Sequence, residues 1–279
     1  LGKTTPAEWV SDIRQRPAPW AELECSGVVI SLPSENVRKL GDPVELMELW
    51  SSVMDACASL AAMPLQRERP ERYVTDVQIS AGYMHSGYPI MTFLDVAPVF
   101  PDREALWKRA ADGGDWGFFH EMGHNHQSGD WTFDGTGEVT VNLFSLYVLD
   151  RVFNVRRGGH PAVAPAEREK KTAAYFADGP SFEKWKSDPF LALYTYMQLQ
   201  EAFGWEAYRK VFAEYRALPD AERPKTDEEK RDQWLVRFSR AVGRNLGPFF
   251  QAWGVPTSDA ARAAVADLPV WMPPGFPPG

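Results

Sequence analysis

The feature that most constrains this chain is residues 116–150, WGFFHEMGHNHQSGDWTFDGTGEVTVNLFSLYVLD. Trp116, Phe119 and Met122 recur at three-residue spacing, the stripe of a helix with one buried face. Asp115 is placed to cap its first turn. His120 and His124 stand at i and i+4, one turn apart on the same face. Two imidazoles so placed can bind one zinc ion at roughly 2.0–2.1 Å each. Glu121, about 100° round the helix from His120, is turned away from that pair. It can instead reach a water on the open side of the metal, as the general base of an H-E-x-x-H site.

A catalytic zinc usually takes three protein ligands and leaves one position for water. Glu138 is the best candidate for the third. It follows a turn-rich segment, SGDWTFDGTG at 128–137, that can reverse the chain. Thr136 is placed to cap a second helix from Gly137, buried through Val141, Leu143, Phe144, Leu146 and Val148. Asn142, one turn after Glu138, faces the same way and is placed to accept the outer N–H of His120 or His124. The bland alternative is a pair of surface histidines, which the helix and the following carboxylate weigh against. His126 falls on another face of the helix and reads as structural or as a support to a ligand, not as a ligand itself. For the group that steadies a developing oxyanion, Tyr194, Tyr196 and His85 are candidates, each more simply read as a packed or surface ring.

The rest of the chain reads as strands with helices first and helices afterwards. Strands are predicted at 23–32, at 73–80 with Tyr73, Thr75, Val77 and Ile79 on one side, and at 85–95, which Pro89 either places at an edge or begins. Asp42-Pro43 opens a helix to about Ala62. Asp188-Pro189 opens another that ends at Gly204, and Thr226 with Glu229 forms a capping box. The tail from Leu268 to Gly279 is proline-rich and predicted to lie across the surface. The fold class is α+β, with a sheet-bearing N-terminal half, the H-E-x-x-H helix at the cleft and an all-α C-terminal half. In residues, 1–279 is one catalytic domain, with an α+β subdomain at 23–127 and a mainly helical one at 128–279.

Composition narrows the function. A net charge of -8 makes the chain a poor candidate for a nucleic-acid partner, since phosphate binding needs a basic face. No apolar run is long enough to span a membrane. Two cysteines, Cys25 and Cys57, permit one optional disulfide and no thiolate zinc site. Because the chain begins at Leu1 rather than Met, it reads as processed or excised.

Several segments resemble one family. HEMGHNHQ, WTF at 131–133, GEVTVNLFSLYV at 137–148, MHSGYPI at 84–90, LQEAFGWEAY at 199–208 and FFQAWGVP at 249–256 are similar to metallopeptidase family sixty. This is the enhancin-like, mucin-directed family of the gluzincin clan, and the likeness covers about 25–275. It implies a gluzincin fold, Zn2+ held by His120, His124 and Glu138, and Glu121 as general base on a zinc-bound water. It further implies an endopeptidase that cleaves O-glycosylated, mucin-type proteins beside a glycosylated Ser or Thr. The expected partner is therefore an O-glycoprotein or mucin substrate, and the expected setting a secreted or cell-surface bacterial enzyme, here a monomer. Asn142 departs from the wider clan, where an aspartate often stands, and adds no negative charge beside the metal. For substrate binding the candidates are Trp131 (a sugar platform or a hydrophobic plug), Tyr88 and Tyr194. The 85–95 strand is the expected partner for extended substrate. Arg67, Arg69 and Arg72 read as a solvated face, with an acidic sugar or peptide as the alternative. Two other functions stay open: a zinc endopeptidase or aminopeptidase indifferent to glycan, and an inactive glycan-binding or adhesion module.

Overall fold

The computed structural model describes residues 2–156 and 158–277, so the last two residues of the proline-rich tail lie outside the described residues. In chain order the elements are α1 (Pro6–Ser11), β1 (Trp20–Glu24), β2 (Val28–Pro33), α2 (Pro43–Leu60), β3 (Glu71–Asp76), β4 (Met84–His85), β5 (Ile90–Phe93), α3 (Arg103–Asp112), α4 (Trp116–His126), α5 (Gly137–Thr140), α6 (Asn142–Arg151), α7 (Pro165–Ala177), α8 (Phe182–Ser187), α9 (Pro189–Arg216), α10 (Asp227–Val242), α11 (Gly247–Ala252) and α12 (Asp259–Ala263). No helix among the described residues is long and apolar enough to cross a membrane.

Backbone contacts divide the chain into two compact units. The first comprises Leu1–Ser59, Pro64–His126 and Phe144–His160; the second comprises Leu60–Met63, Gln127–Leu143 and Pro161–Gly279. The stretch Phe144–His160 therefore belongs with the sheet, not with a helical part running on from 128. Its side chains explain why: Phe144 packs on His126 with ring centroids 6.1 Å apart, and the Ser145 hydroxyl points to the Trp116 carbonyl.

The first unit is built on a five-stranded sheet in the order β1-β2-β3-β5-β4. The single strand expected at 23–32 is a hairpin, β1 antiparallel to β2, closed where Cys25 N–H donates to the Val28 carbonyl at 2.9 Å. Gly27 sits in that turn with a methyl's worth of space missing, since an added Cβ would lie 3.1 Å from the Met54 side chain. β2 and β3 run parallel, which requires a crossover, and α2 supplies it. Asp42 accepts from Val44 N–H at 2.8 Å and starts that helix.

β3 ends at Asp76, before the predicted 80, because Val77 is turned outward, 60% exposed. The strand expected at 85–95 is also two. A cis Tyr88-Pro89 peptide breaks it, leaving β4 at the edge and β5 paired on both sides, parallel to β3 and antiparallel to β4. On this side of the sheet the edge strand is thus the two-residue β4, with β1 at the opposite edge. Ile30, Tyr73 and Ile90 stand in register on one face of the sheet, all fully buried. Trp50, Phe100 and Phe118 close over Tyr73 with centroids 5.6, 5.2 and 6.4 Å away. The Tyr73 hydroxyl donates to the Phe118 carbonyl at 2.6 Å, which ties α4 to the sheet. Cys25 and Cys57 are both buried free thiols, and burial pushes Cys57 up to about 12, so it stays protonated.

The second unit has an aromatic core. Trp234 packs against Tyr196, Tyr208, Phe212, Tyr215 and Phe238, with centroids 5.4–6.4 Å apart. Asp188 caps α9 through the N–H groups of Phe190 and Leu191 at 3.0 and 3.1 Å. That helix does not stop at Gly204. It bends there, at φ 76°, and continues to Arg216, because Trp205, Tyr208, Phe212 and Tyr215 carry its buried stripe onward. Thr226 and Glu229 close a capping box on α10.

Candidate metal centre

α4 is a helix because Phe118, Phe119 and Met122, all fully buried, anchor its inner side, while His120, Glu121 and His124 stay half-buried on the other. Asp115 does not cap it with its carboxylate. The group is fully buried and its Oδ1 accepts from Arg109 Nε at 2.9 Å, while its backbone carbonyl receives Phe118 N–H. Its other oxygen, Oδ2, has no hydrogen-bond partner. Burial, only partly offset by Arg109, raises the Asp115 pKa to about 6.

A pH prediction follows, with a definite sign. The folded state holds this proton more tightly than the unfolded chain, so stability is lost as pH rises from about 4 to about 6. The two-unit difference amounts to about 3 kcal/mol. Denaturant titrations of the wild type and of Asp115→Asn should therefore diverge across that window, with the variant gaining relative to wild type as pH rises. Parallel curves would show that the buried carboxyl is not shifted.

The second helix of the motif does not begin as a continuous rod. α5 is one turn, Val141 carries the chain on, and α6 follows. Thr136 precedes α5 but makes no side-chain cap. Its hydroxyl is committed to Phe133, accepting from the N–H at 2.8 Å and donating to the carbonyl at 2.7 Å, which tightens the turn before Glu138. Gln127, just past α4, donates to the Gly137 carbonyl at 3.1 Å and to Thr140 Oγ1 at 2.5 Å. Val139, Val141 and Leu143 are fully buried.

This scaffold brings together His120, His124 and Glu138. One ligand atom from each lies within 4.8 Å of the other two, and the rings of His120 and His124 stand edge to face with centroids 4.8 Å apart. Two imidazole nitrogens and a carboxylate oxygen are a donor set that zinc takes. The Glu121 carboxylate makes no hydrogen bond or ion pair among the described residues. The Asn142 amide nitrogen donates to the Glu138 carbonyl at 2.8 Å, which fixes the plane of its carboxamide.

His126 is not part of the cluster. It is 1% exposed; Nε2 lies 3.2 Å from the Arg67 guanidinium and Nδ1 2.8 Å from the Met122 carbonyl. Because the guanidinium has only donors, Nε2 must accept and Nδ1 must carry the proton, so this ring is held neutral.

The other candidates are placed as follows. Trp131 is fully buried, stacked on Phe212 at 4.2 Å, and its indole nitrogen has no hydrogen-bond partner. A ring with no exposed face has none to offer a sugar, so of the two readings held open the structure shows the plug. Tyr194 is 1% exposed and its hydroxyl donates to the Ala162 carbonyl at 2.6 Å, which corrects its assignment to substrate binding. Tyr196 is equally buried, and His85 is engaged by Ser80 and the Ser86 carbonyl. Tyr88 is 45% exposed and lies under the Arg69 guanidinium. One contact was not anticipated. The Asn125 carboxamide accepts Gly87 N–H at 3.1 Å and donates to the Gly87 carbonyl and to Glu71, each at 2.9 Å. Its place beside His124 in the motif was the only signal.

An α+β fold that sets an H-E-x-x-H helix beside a following glutamate is the architecture of a metallopeptidase. The chain belongs to the peptidase M60, enhancin and enhancin-like family, whose model matches residues 1–254. M60 metallopeptidases are zinc enzymes. The chain is 44% identical over 273 residues to TRPM8 channel-associated factor 2 of Bos taurus, covering 97% of this chain and 29% of the relative. It is 43% identical to a TRPM8 channel-associated factor homolog of Danio rerio, covering 97% and 29%. The chain thus spans less than a third of the curated relatives it matches. Among solved structures, a conserved protein of unknown function from Bacillus anthracis superposes with TM-score 0.82 at 27% identity, over 98% of this chain and 57% of the other. IMPa from Pseudomonas aeruginosa in complex with an O-glycopeptide superposes with TM-score 0.65 at 18% identity, over 95% and 37%. The vertebrate relatives overturn the expectation of a secreted or cell-surface bacterial enzyme and point to a eukaryotic protein.

Proposed function

We propose that this chain is a zinc metalloendopeptidase that cleaves O-glycosylated proteins beside a glycosylated serine or threonine. The observation that carries the reading is the convergence of His120, His124 and Glu138 within 4.8 Å, with Glu121 next to the first of them. These three side chains would hold one zinc ion. When bound, zinc acts as a Lewis acid on the scissile carbonyl and lowers the pKa of water. Glu121 takes the proton from the attacking water and returns it to the amine nitrogen as the C–N bond breaks. Asn142, oriented by the Glu138 carbonyl, accepts the outer N–H of a ligand imidazole and so holds that ring's tautomer. The glycan requirement is supported by the likeness in fold to IMPa, solved with an O-glycopeptide.

A second reading is a non-catalytic association role, favoured by the name of the vertebrate relatives, TRPM8 channel-associated factors. The test presents zinc-loaded protein with matched peptides differing by a single GalNAc on serine or threonine, and locates cuts by mass spectrometry. Cleavage of the glycosylated peptide alone, next to the sugar, is expected. Equal cleavage of both peptides favours a glycan-indifferent peptidase. Binding of the glycopeptide with no cleavage at all favours the association or adhesion reading.

A further inference from the structure

The last turn of α4 fixes two neighbouring segments of the chain. His126 receives Arg67 at 3.2 Å, and Asn125 holds Glu71 at 2.9 Å, so the stretch 67–71 is tied to the metal helix at both ends. Arg67 is further committed to the Met54 carbonyl at 2.9 Å. The same Asn125 carboxamide pairs with both backbone groups of Gly87 and holds the loop before β5. Gly87 has φ +121°, a conformation that side-chain-bearing residues rarely adopt. Where the two segments meet, the Arg69 guanidinium carbon lies 3.7 Å from the centre of the Tyr88 ring.

Arg67 and Arg69 of this stretch and Arg72 just after it differ in what they are committed to. Arg67 commits its two terminal nitrogens to His126 and the Met54 carbonyl. Arg72 pairs with Glu22 and donates to the Ser31 hydroxyl. Arg69 is exposed, and among the described residues it makes no hydrogen bond and no ion pair. Stacking on Tyr88 restricts the guanidinium plane while leaving its N–H edge to solvent. A planar fork of donors, pre-oriented and without a counter-ion, is suited to a carboxylate. In a chain of net charge -8 such a cation also gives local contrast to an incoming acid.

We propose that Arg69, stacked on Tyr88, is a specificity subsite for a carboxylate of the substrate, anchored to the metal-bearing helix through Asn125 and His126. The proposal rests on the peptidase reading above. The carboxylate has two sources, an acidic sugar of the glycan or an Asp or Glu side chain of the peptide. Three glycopeptides separate them: a neutral glycan on a neutral peptide, a sialylated glycan on the same peptide, and the neutral glycan with a glutamate flanking the cut.

For the zinc-loaded wild type, kcat/KM should be about tenfold higher for one of the acidic substrates than for the neutral one. Arg69→Gln, an exposed substitution, should bring that ratio close to one. Which acidic substrate responds identifies the source, and added salt should shrink the preference. A ratio near one in the wild type, or a preference that survives Arg69→Gln, overturns the subsite. Should the wild type cut none of the three, the peptidase reading fails separately. The same peptides are then titrated calorimetrically. An acidic preference lost in Arg69→Gln still upholds the subsite, and equal affinities reject it.

Discussion

Glu121→Ala should fold, retain zinc and lose peptide hydrolysis by a factor of about 10²–10⁴, the usual cost of removing a general base. Glu121 stands next to His120 in sequence but is rotated away from the ligand pair, and the convergent set contains His120, His124 and Glu138 without it. Its carboxylate is half-buried and uncommitted to any hydrogen bond among the described residues, as a group that must exchange a proton with water should be. Phe118, Phe119 and Met122 hold the helix from its other face, so trimming Glu121 leaves the packing intact. The measurement pairs zinc content by mass spectrometry with turnover of a cleavable glycopeptide. Undiminished turnover in the zinc-loaded variant would show that another residue moves the proton. Loss of zinc would show that Glu121 is a ligand.

Glu138→Ala should behave in the opposite way, losing the metal first and activity as a consequence. Removing a group that only orients a metal ligand typically costs 10–100-fold in affinity, so removing a ligand itself should weaken zinc binding by more than about 100-fold. The scaffold should survive. Val139, Val141 and Leu143 are fully buried and hold this turn of chain, and Gln127 pins the Gly137 carbonyl at 3.1 Å. Zinc titration against a competing chelator, with circular dichroism to confirm folding, reads the effect. Unchanged affinity would remove Glu138 from the coordination set and leave the two histidines in need of another partner.

How much of this was legible beforehand depended on the range over which each feature is set. The histidine pair and the adjacent glutamate were readable because a helix places i and i+4 on one face whatever surrounds it, and Glu138 because a turn-rich segment before it can reverse the chain. The caps Asp42, Asp188 and Thr226 were equally readable, since each bonds within three residues of itself. Errors came where distant residues decide. The segment 23–32 alternates and branches like one strand, yet the chain turns at Cys25–Gly27, where Cys25 N–H bonds the Val28 carbonyl and Met54 of α2 packs against Gly27. The strand expected at 85–95 divides at the cis Tyr88-Pro89 bond, which no propensity reveals. Gly204 looked like a helix stop, but a stripe that can still be buried lets the helix resume after a bend.

The same division separates the metal centre from its surroundings. Residue order alone pointed to the candidate histidine pair and the glutamate beside it, because their spacing lies within one turn of helix, and offered Glu138 only as a carboxylate following a turn. The state of each aromatic and each arginine was settled by packing. Trp131 and Tyr88 were both candidates for substrate contact, Trp131 equally as a plug, but one is stacked against Phe212 with none of its surface exposed and the other lies open under Arg69. Arg67, Arg69 and Arg72 read as one basic cluster, yet their partners differ. Burial and the pairing of charges are properties of what arrives from elsewhere in the chain, and a local pattern carries no record of it.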